Sequence, residues 1–291
     1  MRASDRKIRR TVLGLGLGLA LGLGLVATGS AEAADQALTA AVDGPWRSEA
    51  SRARDVYRHP EAALSFWGLK PGMTIIELEP GNNGWWVEIL APYAKATGGQ
   101  YIAALPDRTE PGIAETALAA RTKAHADFAA EIADKGVYGN ARAIDFGPKK
   151  LDALAPQSAD MVLVARSFHN WARGGRTEPY LKAIVTLLKP GGVLAVEQHR
   201  APAGSNQKPD TGYVTEAYVI DAAQKAGLVL EARSEINANP KDDHNHAFGV
   251  WTLKPTRSSS EDGRTLSPDE RAKYDAIGES DRMTLRFRKP G

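Results

Sequence analysis

Two stretches of this chain carry residue types able to bind and transform a small molecule. The first is Glu77-Leu78-Glu79-Pro80-Gly81-Asn82-Asn83-Gly84, two carboxylates running into a glycine turn. Glycine accepts positive φ and lets the backbone come close to a ligand. A helix starting after such a turn adds N–H groups that lack intrahelical partners. The second is Arg166-Ser167-Phe168-His169-Asn170-Trp171. Imidazole titrates near neutrality, so His169, with Asn170 beside it, is a candidate to remove a proton from a hydroxyl or amine. The alternative is a His169–Asn170 pair that holds its loop in shape, with Trp171 as core packing. Asp242, Asp243, His244 and His246 are metal-ligand types, but four of them so close on one loop read as a solvated turn, and no metal is expected.

The elements around these stretches alternate. Short apolar runs punctuated by Pro and Gly read as buried strands: Met73–Leu78, Tyr101–Leu105, Ala141–Ile144, Met161–Ala165, Val193–Glu197 and Leu228–Ser234. Between them lie helical patterns over Gly84–Ala94, Glu115–Asp134, Glu178–Leu188 and Thr215–Ala226. Trp86, Ile89, Leu90 and Tyr93 share one helix face at i, i+3, i+4, i+7. Ser48 to Leu69 reads as a helix broken at His59-Pro60. Ser267-Pro268-Asp269-Glu270 is a capping box that opens a helix ended by Gly278, and a last strand spans Met283–Lys289. Such alternation implies an α/β fold with a mostly parallel sheet covered on both faces. In sheets of this kind ligands bind beyond the carboxyl ends of the strands, near the switch point. Gly-x-Gly-x-x-Gly is missing after the first strand, which argues against a nicotinamide dehydrogenase.

The residues also carry a resemblance. Ile75-Ile76-Glu77-Leu78-Glu79-Pro80-Gly81 resembles the first motif of class I S-adenosylmethionine-dependent methyltransferases, and Leu188-Lys189-Pro190-Gly191-Gly192-Val193-Leu194 resembles the turn before their fifth strand. Leu69-Lys70-Pro71-Gly72-Met73 is similar to their lead into the first strand. Arg54-Asp55-Val56-Tyr57-Arg58-His59-Pro60, Trp85 to Tyr93, Arg166 to Trp171 and Arg286 to Pro290 resemble a narrower bacterial family of predicted, often exported methyltransferases, over roughly residues 50 to 290. The resemblance implies a Rossmann-like doubly wound sheet of about seven strands, one of them C-terminal and antiparallel. It implies S-adenosyl-L-methionine as cofactor and a small-molecule methyl acceptor, or a ligand-binding module that keeps the fold without turnover.

It also implies roles. Glu77 would read the amino-acid end of the cofactor, the alternative being a carboxylate capping the next helix. Asp107 would hold the ribose hydroxyls, or be a loop acid. Asp145, with Phe146, would read the adenine edge, or be a turn aspartate before Gly147. Gly81, Asn82 and Gly84 would form the cofactor turn, and Arg166 is counted with them, with structural work as its alternative. His169 and Asn170 would stand where the acceptor lies, since methyl transfer needs alignment and desolvation above all. The turn departs from acid-x-Gly-x-Gly-x-Gly: Glu79 occupies the first glycine position and Asn83 the third, with Gly84 one place late. Glu79 would either crowd the methionine part of the cofactor or turn its carboxylate to the sulfonium or amino group.

Composition bounds the rest. Of 291 residues 43% are apolar, enough for a sizeable core, and there is no cysteine, which excludes disulfides and thiolate chemistry. Residues 1–33 hold five basic and two acidic side chains of the chain's 37 and 35, leaving 32 and 33 beyond them, a net charge of −1. A near-neutral body gives no electrostatic reason to expect nucleic acid or an anionic membrane as partner. Residues 1–33 read as a signal peptide: a basic stretch to Arg10, an uncharged Leu-Gly run from Thr11 to Val26, and Ala31-Glu32-Ala33 before a mature start near Ala34. The run is short for a membrane span, so none is expected after cleavage. Arg9-Arg10 partly matches a twin-arginine signal. The expectation is a periplasmic or secreted protein with a flexible lead-in over 34–47 and one domain over 48–291.

Overall fold

Pro71-Gly72 and Gly98-Gly99 break the chain before β-branched or aromatic runs that cannot stay helical when buried on both faces, and the strands begin there. The computed structural model describes residues 33–81, 84–261 and 263–291. Residues 1–32, the bulk of the segment read as a signal peptide and including its arginine pair, lie outside the described residues, as do Asn82 and Asn83.

In chain order the elements are α1 (33–42), α2 (Glu49–Arg52), α3 (Asp55–Arg58), α4 (Pro60–Trp67), β1 (Thr74–Leu78), α5 (Val87–Thr97), β2 (Gln100–Pro106), α6 (Glu115–Glu131), α7 (Lys135–Tyr138), β3 (Arg142–Phe146), β4 (Ala159–Ala165), α8 (Phe168–Arg173), α9 (Thr177–Leu187) and β5 (Leu188–Ala201). There follow β6 (Val214–Thr215), α10 (Glu216–Lys225), β7 (Val229–Ser234), β8 (Ala247–Val250), β9 (Ser260–Glu261), β10 (Arg264–Thr265), α11 (Pro268–Ile277) and β11 (Arg282–Arg288). The main sheet runs β3-β2-β1-β4-β5-β11-β7, with β6 paired to the end of β5. Strands β3 to β5 pair in parallel, and β11 inserts antiparallel between β5 and β7. The order reverses between β1 and β4, which makes their carboxyl ends the switch point.

Alternate residues of each strand feed two cores. Ile75, Tyr101, Met161 and Leu163 face the layer holding Leu64 and Trp67 of α4, Leu90 of α5 and Trp86 just before it. Ile76, Ile102, Val162 and Leu285 face the layer holding Leu181, Ile184 and Val219 of α9 and α10. The central strands are buried on both sides and so read as mainly apolar runs, with Glu77 and Glu197 as buried exceptions. No helix among the described residues is long and apolar enough to cross a membrane.

Several elements differ from the sequence reading. In place of a flexible lead-in over 34–47, residues 33–42 are helical and Leu38, Ala41 and Val42 join the core. The segment is then fastened: Arg47 is buried and forks onto Asp55 at 2.7 Å twice, and the Trp46 indole N–H donates to the Glu88 carbonyl at 2.8 Å. The Ser48–Leu69 segment is three short helices: besides the expected break at His59-Pro60, where His59 sits at φ 43°, a second falls at Ala53-Arg54 between α2 and α3. The helix expected from Gly84 starts at Val87. The capping box at Ser267 and Glu270 forms with both reciprocal bonds.

Candidate functional site

Beyond Leu78 the backbone cannot continue as strand. Glu79 takes φ 51°, Gly81 φ 76° and Gly84 φ 43°. A Cβ on Gly81 would enter open space, whereas one on Gly84 would lie 2.5 Å from the Glu131 carboxylate. Gly81 thus leaves its backbone bare toward an opening, and Gly84 is required by both conformation and space. The opening is a cavity of about 720 Å³ at the carboxyl tips of β1, β2, β4 and β5. Cavities of this size hold ligands of nucleoside dimensions.

Glu79 lines this cavity and is held in place. Its N–H donates to the Ala104 carbonyl at 2.9 Å, and its carboxylate accepts the Trp171 indole N–H at 3.1 Å. Trp171 in turn stacks on Tyr180, 4.5 Å between centroids and 14° from parallel. Burial raises the Glu79 pKa, opposed by hydrogen bonds from Trp171 and Ser167. Trp171 is therefore core packing and also a donor to the turn.

Of the residues proposed from sequence, Glu79, Gly81, Gly84, Arg166, His169 and Asn170 come together around the cavity. Asn82 lies outside the described residues. Four others are not among the lining residues. Glu77 points into the core, 1% exposed, and accepts the Tyr101 hydroxyl at 2.6 Å; burial pushes it up to about 7. Asp107 folds into its own turn, accepting from the Thr109 N–H and hydroxyl at 2.8 and 2.7 Å. Asp145 is gripped by the Arg108 guanidinium at 2.9 and 2.7 Å, which holds it down at about 2. Phe146 is 1% exposed and packs 6.1 Å from Tyr180. Glu77, Asp107, Asp145 and Phe146 are thus engaged by intramolecular partners away from the cavity wall.

His169 is buried on α8, its Nδ1 3.4 Å from the Gln198 amide nitrogen, and burial pushes it down to about 4. Its ring lies 5.8 Å from those of His199 and Trp251. Its imidazole is neutral at pH 7, and the lowered value makes it a weak base. Asn170 accepts from Arg173 at 3.2 Å. Arg166, at φ 65°, donates its backbone N–H to the Glu197 carbonyl at 2.7 Å.

Sequence reasoning missed Arg54, Arg176, His199, Trp251 and Lys254, all of which line the cavity. Arg54 stood inside a quoted segment, but nothing in its local spacing tied it to the strand tips. The Asp242 loop is also not a solvated turn. Asp242 and the His246 side chain are buried, and Asp242 accepts from the Tyr213 hydroxyl at 2.8 Å, the Asp281 N–H at 2.7 Å and the His244 N–H at 2.9 Å. His246 Nε2 lies 2.7 Å from the same carboxylate. Asp242, Asp243 and His246 stand close enough to share an ion, but the lone pairs of Asp242 are already spent on these donors.

The comparisons bear on the fold. No protein-family profile matches the chain, and no curated protein matches it. Among solved structures, the 4+2 cyclase SpnF is 14% identical with a TM-score of 0.52, over 90% of this chain and 95% of the other. The fold is the class I methyltransferase fold. A methyltransferase from Aquifex aeolicus described as SAM-dependent is 19% identical with a TM-score of 0.48, over 66% of this chain and 94% of the other. A protein from Galdieria sulphuraria described as a sarcosine dimethylglycine methyltransferase is 13% identical with a TM-score of 0.48, over 80% and 88%. At these identities the likeness is one of architecture.

Proposed function

We propose that this protein is an S-adenosyl-L-methionine-dependent methyltransferase acting on a small-molecule acceptor. The observation that carries the reading is the cavity at the switch point, edged by the positive-φ turn at Gly81 and by the Glu79 carboxylate. The residues fit the charged end of that cofactor. The bare backbone at Gly81 admits close approach, and a carboxylate held by Trp171 suits a sulfonium or ammonium group. When bound, the cofactor supplies an electrophilic methyl group. The chain's own part is to exclude water around it, align the acceptor, and keep His169 neutral so that its ring can take a proton from a hydroxyl or amine.

Titration calorimetry with S-adenosylmethionine and S-adenosylhomocysteine, followed by a product assay, tests the reading. Micromolar binding of both, with transfer to an acceptor, is expected; absence of any binding sinks it. A second reading, a ligand-binding module that keeps the fold, is favoured by one observation: both oxygens of Asp145 are taken by Arg108. Binding without turnover would favour it.

The proposal extends to location. A signal peptide over 1–33 with Arg9-Arg10 would carry the folded chain out of the cytoplasm with the cofactor already in place. Changing both arginines to lysine should retain precursor in the cell; unimpeded export of that variant removes the idea.

A further inference from the structure

The cavity is unbalanced in charge. Six cations line it, Arg54, Arg121, Arg166, Arg173, Arg176 and Lys254, against the carboxylates of Glu79 and Asp127 in its wall and of Glu110, which pairs with Arg121 at 2.8 Å. The two histidines in its wall add no positive charge at pH 7, since burial pushes both His169 and His199 down.

The imbalance deepens behind Arg54 and Arg166. Arg58 and Arg282 are buried there with Glu197 and Glu279. Glu279 alone serves three guanidinium groups: Arg54 Nε at 2.8 Å, Arg58 Nε at 2.9 Å and Arg282 Nη1 at 2.7 Å. Glu197 faces Arg282 Nη1 at 2.8 Å. Four arginines thus share two carboxylates. The Arg166 side chain makes no hydrogen bond among the described residues, and its Nε is buried without a partner, as are Arg54 Nη2, both terminal nitrogens of Arg58 and, on the acidic side, both carboxylate oxygens of Glu197. Buried cations are stable only when paired and hydrogen-bonded. Burial lowers the pKa of Arg54 and Arg166, so that an approaching negative charge would be welcomed by both.

We propose that the Arg54–Arg166 end of the cavity binds the anionic group, a carboxylate or a phosphate, of the small-molecule acceptor. Guanidinium forks match the paired oxygens of either group. That this ligand is the acceptor rests on the methyltransferase reading. A sulfonium is itself a cation, suited to the Glu79 side and repelled by Arg54 and Arg166, whereas an anion held near Arg166 lies beside His169 and His199. The competing source of the same chemistry is the cofactor's own carboxylate.

The test measures binding of inorganic phosphate to the full mature chain at constant ionic strength, with and without saturating S-adenosylhomocysteine. Saturable binding is expected in the wild type, unchanged by S-adenosylhomocysteine, and weakened about tenfold or more by Arg54→Gln, the loss of one charge-assisted pair. Arg166→Met should act likewise, with circular dichroism reporting whether it folds. Arg54→Gln keeps the test valid if it does not, because Arg54 is partly exposed. No saturable binding, or binding indifferent to Arg54→Gln, overturns the anion site. Mutual exclusion of phosphate and S-adenosylhomocysteine assigns the site to the cofactor's tail and overturns the acceptor assignment. Phosphate binding with no S-adenosylhomocysteine binding strikes the methyltransferase reading and leaves the anion site standing.

Discussion

The Glu79 carboxylate accepts the Trp171 indole N–H at 3.1 Å, so the turn after β1 is tied to the helix after β4. The two come from sequence positions 92 residues apart and meet at the switch point. Glu79 holds φ 51°, a conformation that costs a non-glycine residue about 1 kcal/mol or more. Two variants separate the strain from the charge. Trp171→Phe keeps most of the stacking on Tyr180 but removes the donor, and should lower stability by about 1–3 kcal/mol in urea melts. Glu79→Gly relieves the backbone, so its stability should stay close to wild type while affinity for S-adenosylmethionine falls. Tighter cofactor binding by Glu79→Gly would mean that the carboxylate obstructs the site.

Glu77 gives the fold a pH dependence. Its ordinary value is 4.5, and burial raises it to about 7 in the folded state. Between these values the native state holds a proton that the unfolded chain has released, so this contribution is fully present below about pH 4.5 and is lost as pH rises through about 7. The loss is on the order of 3 kcal/mol for a shift of this size. Glu131, raised to about 7 by burial and by Glu88, adds to the same trend. In Glu77→Gln the fall in stability between pH 5 and 8 should shrink, as read from urea midpoints at each pH. An unaltered slope would show that Glu77 ionises normally.

The architecture was readable because its signals are local. Met73 to Leu78 and Met161 to Ala165 are mainly apolar and bounded by turn residues, and each forms a central strand within a residue or two of its expected ends. The site was only half readable. Gly81 and Gly84 announce a turn through backbone freedom, and His169 is marked by its place after a strand. Asp107 and Asp145 looked equally well placed, but their partners, Thr109 and Arg108, are chosen by side-chain geometry that no spacing encodes. Arg54 reaches the cavity only through long-range contacts, its own with Glu279 and that of Arg282 with the Tyr57 carbonyl. Residues 34–47 lacked periodicity because few apolar residues on α1 suffice to anchor it once Arg47 and Trp46 supply polar fastenings.

His169 should behave opposite to Glu77. Burial lowers it from 6.5 to about 4, so the unfolded chain binds a proton first, and stability is lost as pH falls from about 6.5 toward 4. Nitrogen NMR of the imidazole should show a neutral ring down to about pH 4. An apparent value near 6.5 would show that the ring is open to water. If the ring acts as a base, His169→Gln should cut methyl transfer to a hydroxyl or amine by about 100-fold or more while leaving S-adenosylhomocysteine affinity unchanged.

Arg108 is the residue that keeps Asp145 from a ligand. Both carboxylate oxygens face its guanidinium, and the Asp145 carboxylate also lies 3.2 Å from His125 Nε2. The Arg108 side chain is 37% exposed, so its removal should cost the fold no more than about 1 kcal/mol. The carboxylate would keep the Arg108 backbone N–H at 3.0 Å and His125 Nε2 at 3.2 Å on Oδ1, but its Oδ2 would be released at the tip of β3, beside β2, for a donor-bearing purine edge. Arg108→Ala should therefore bind S-adenosylhomocysteine several-fold more tightly than wild type by calorimetry, with adenosine alone following the same trend. Unchanged affinity in both titrations would place the purine elsewhere in the cavity, and weaker binding would make Arg108 itself a contact.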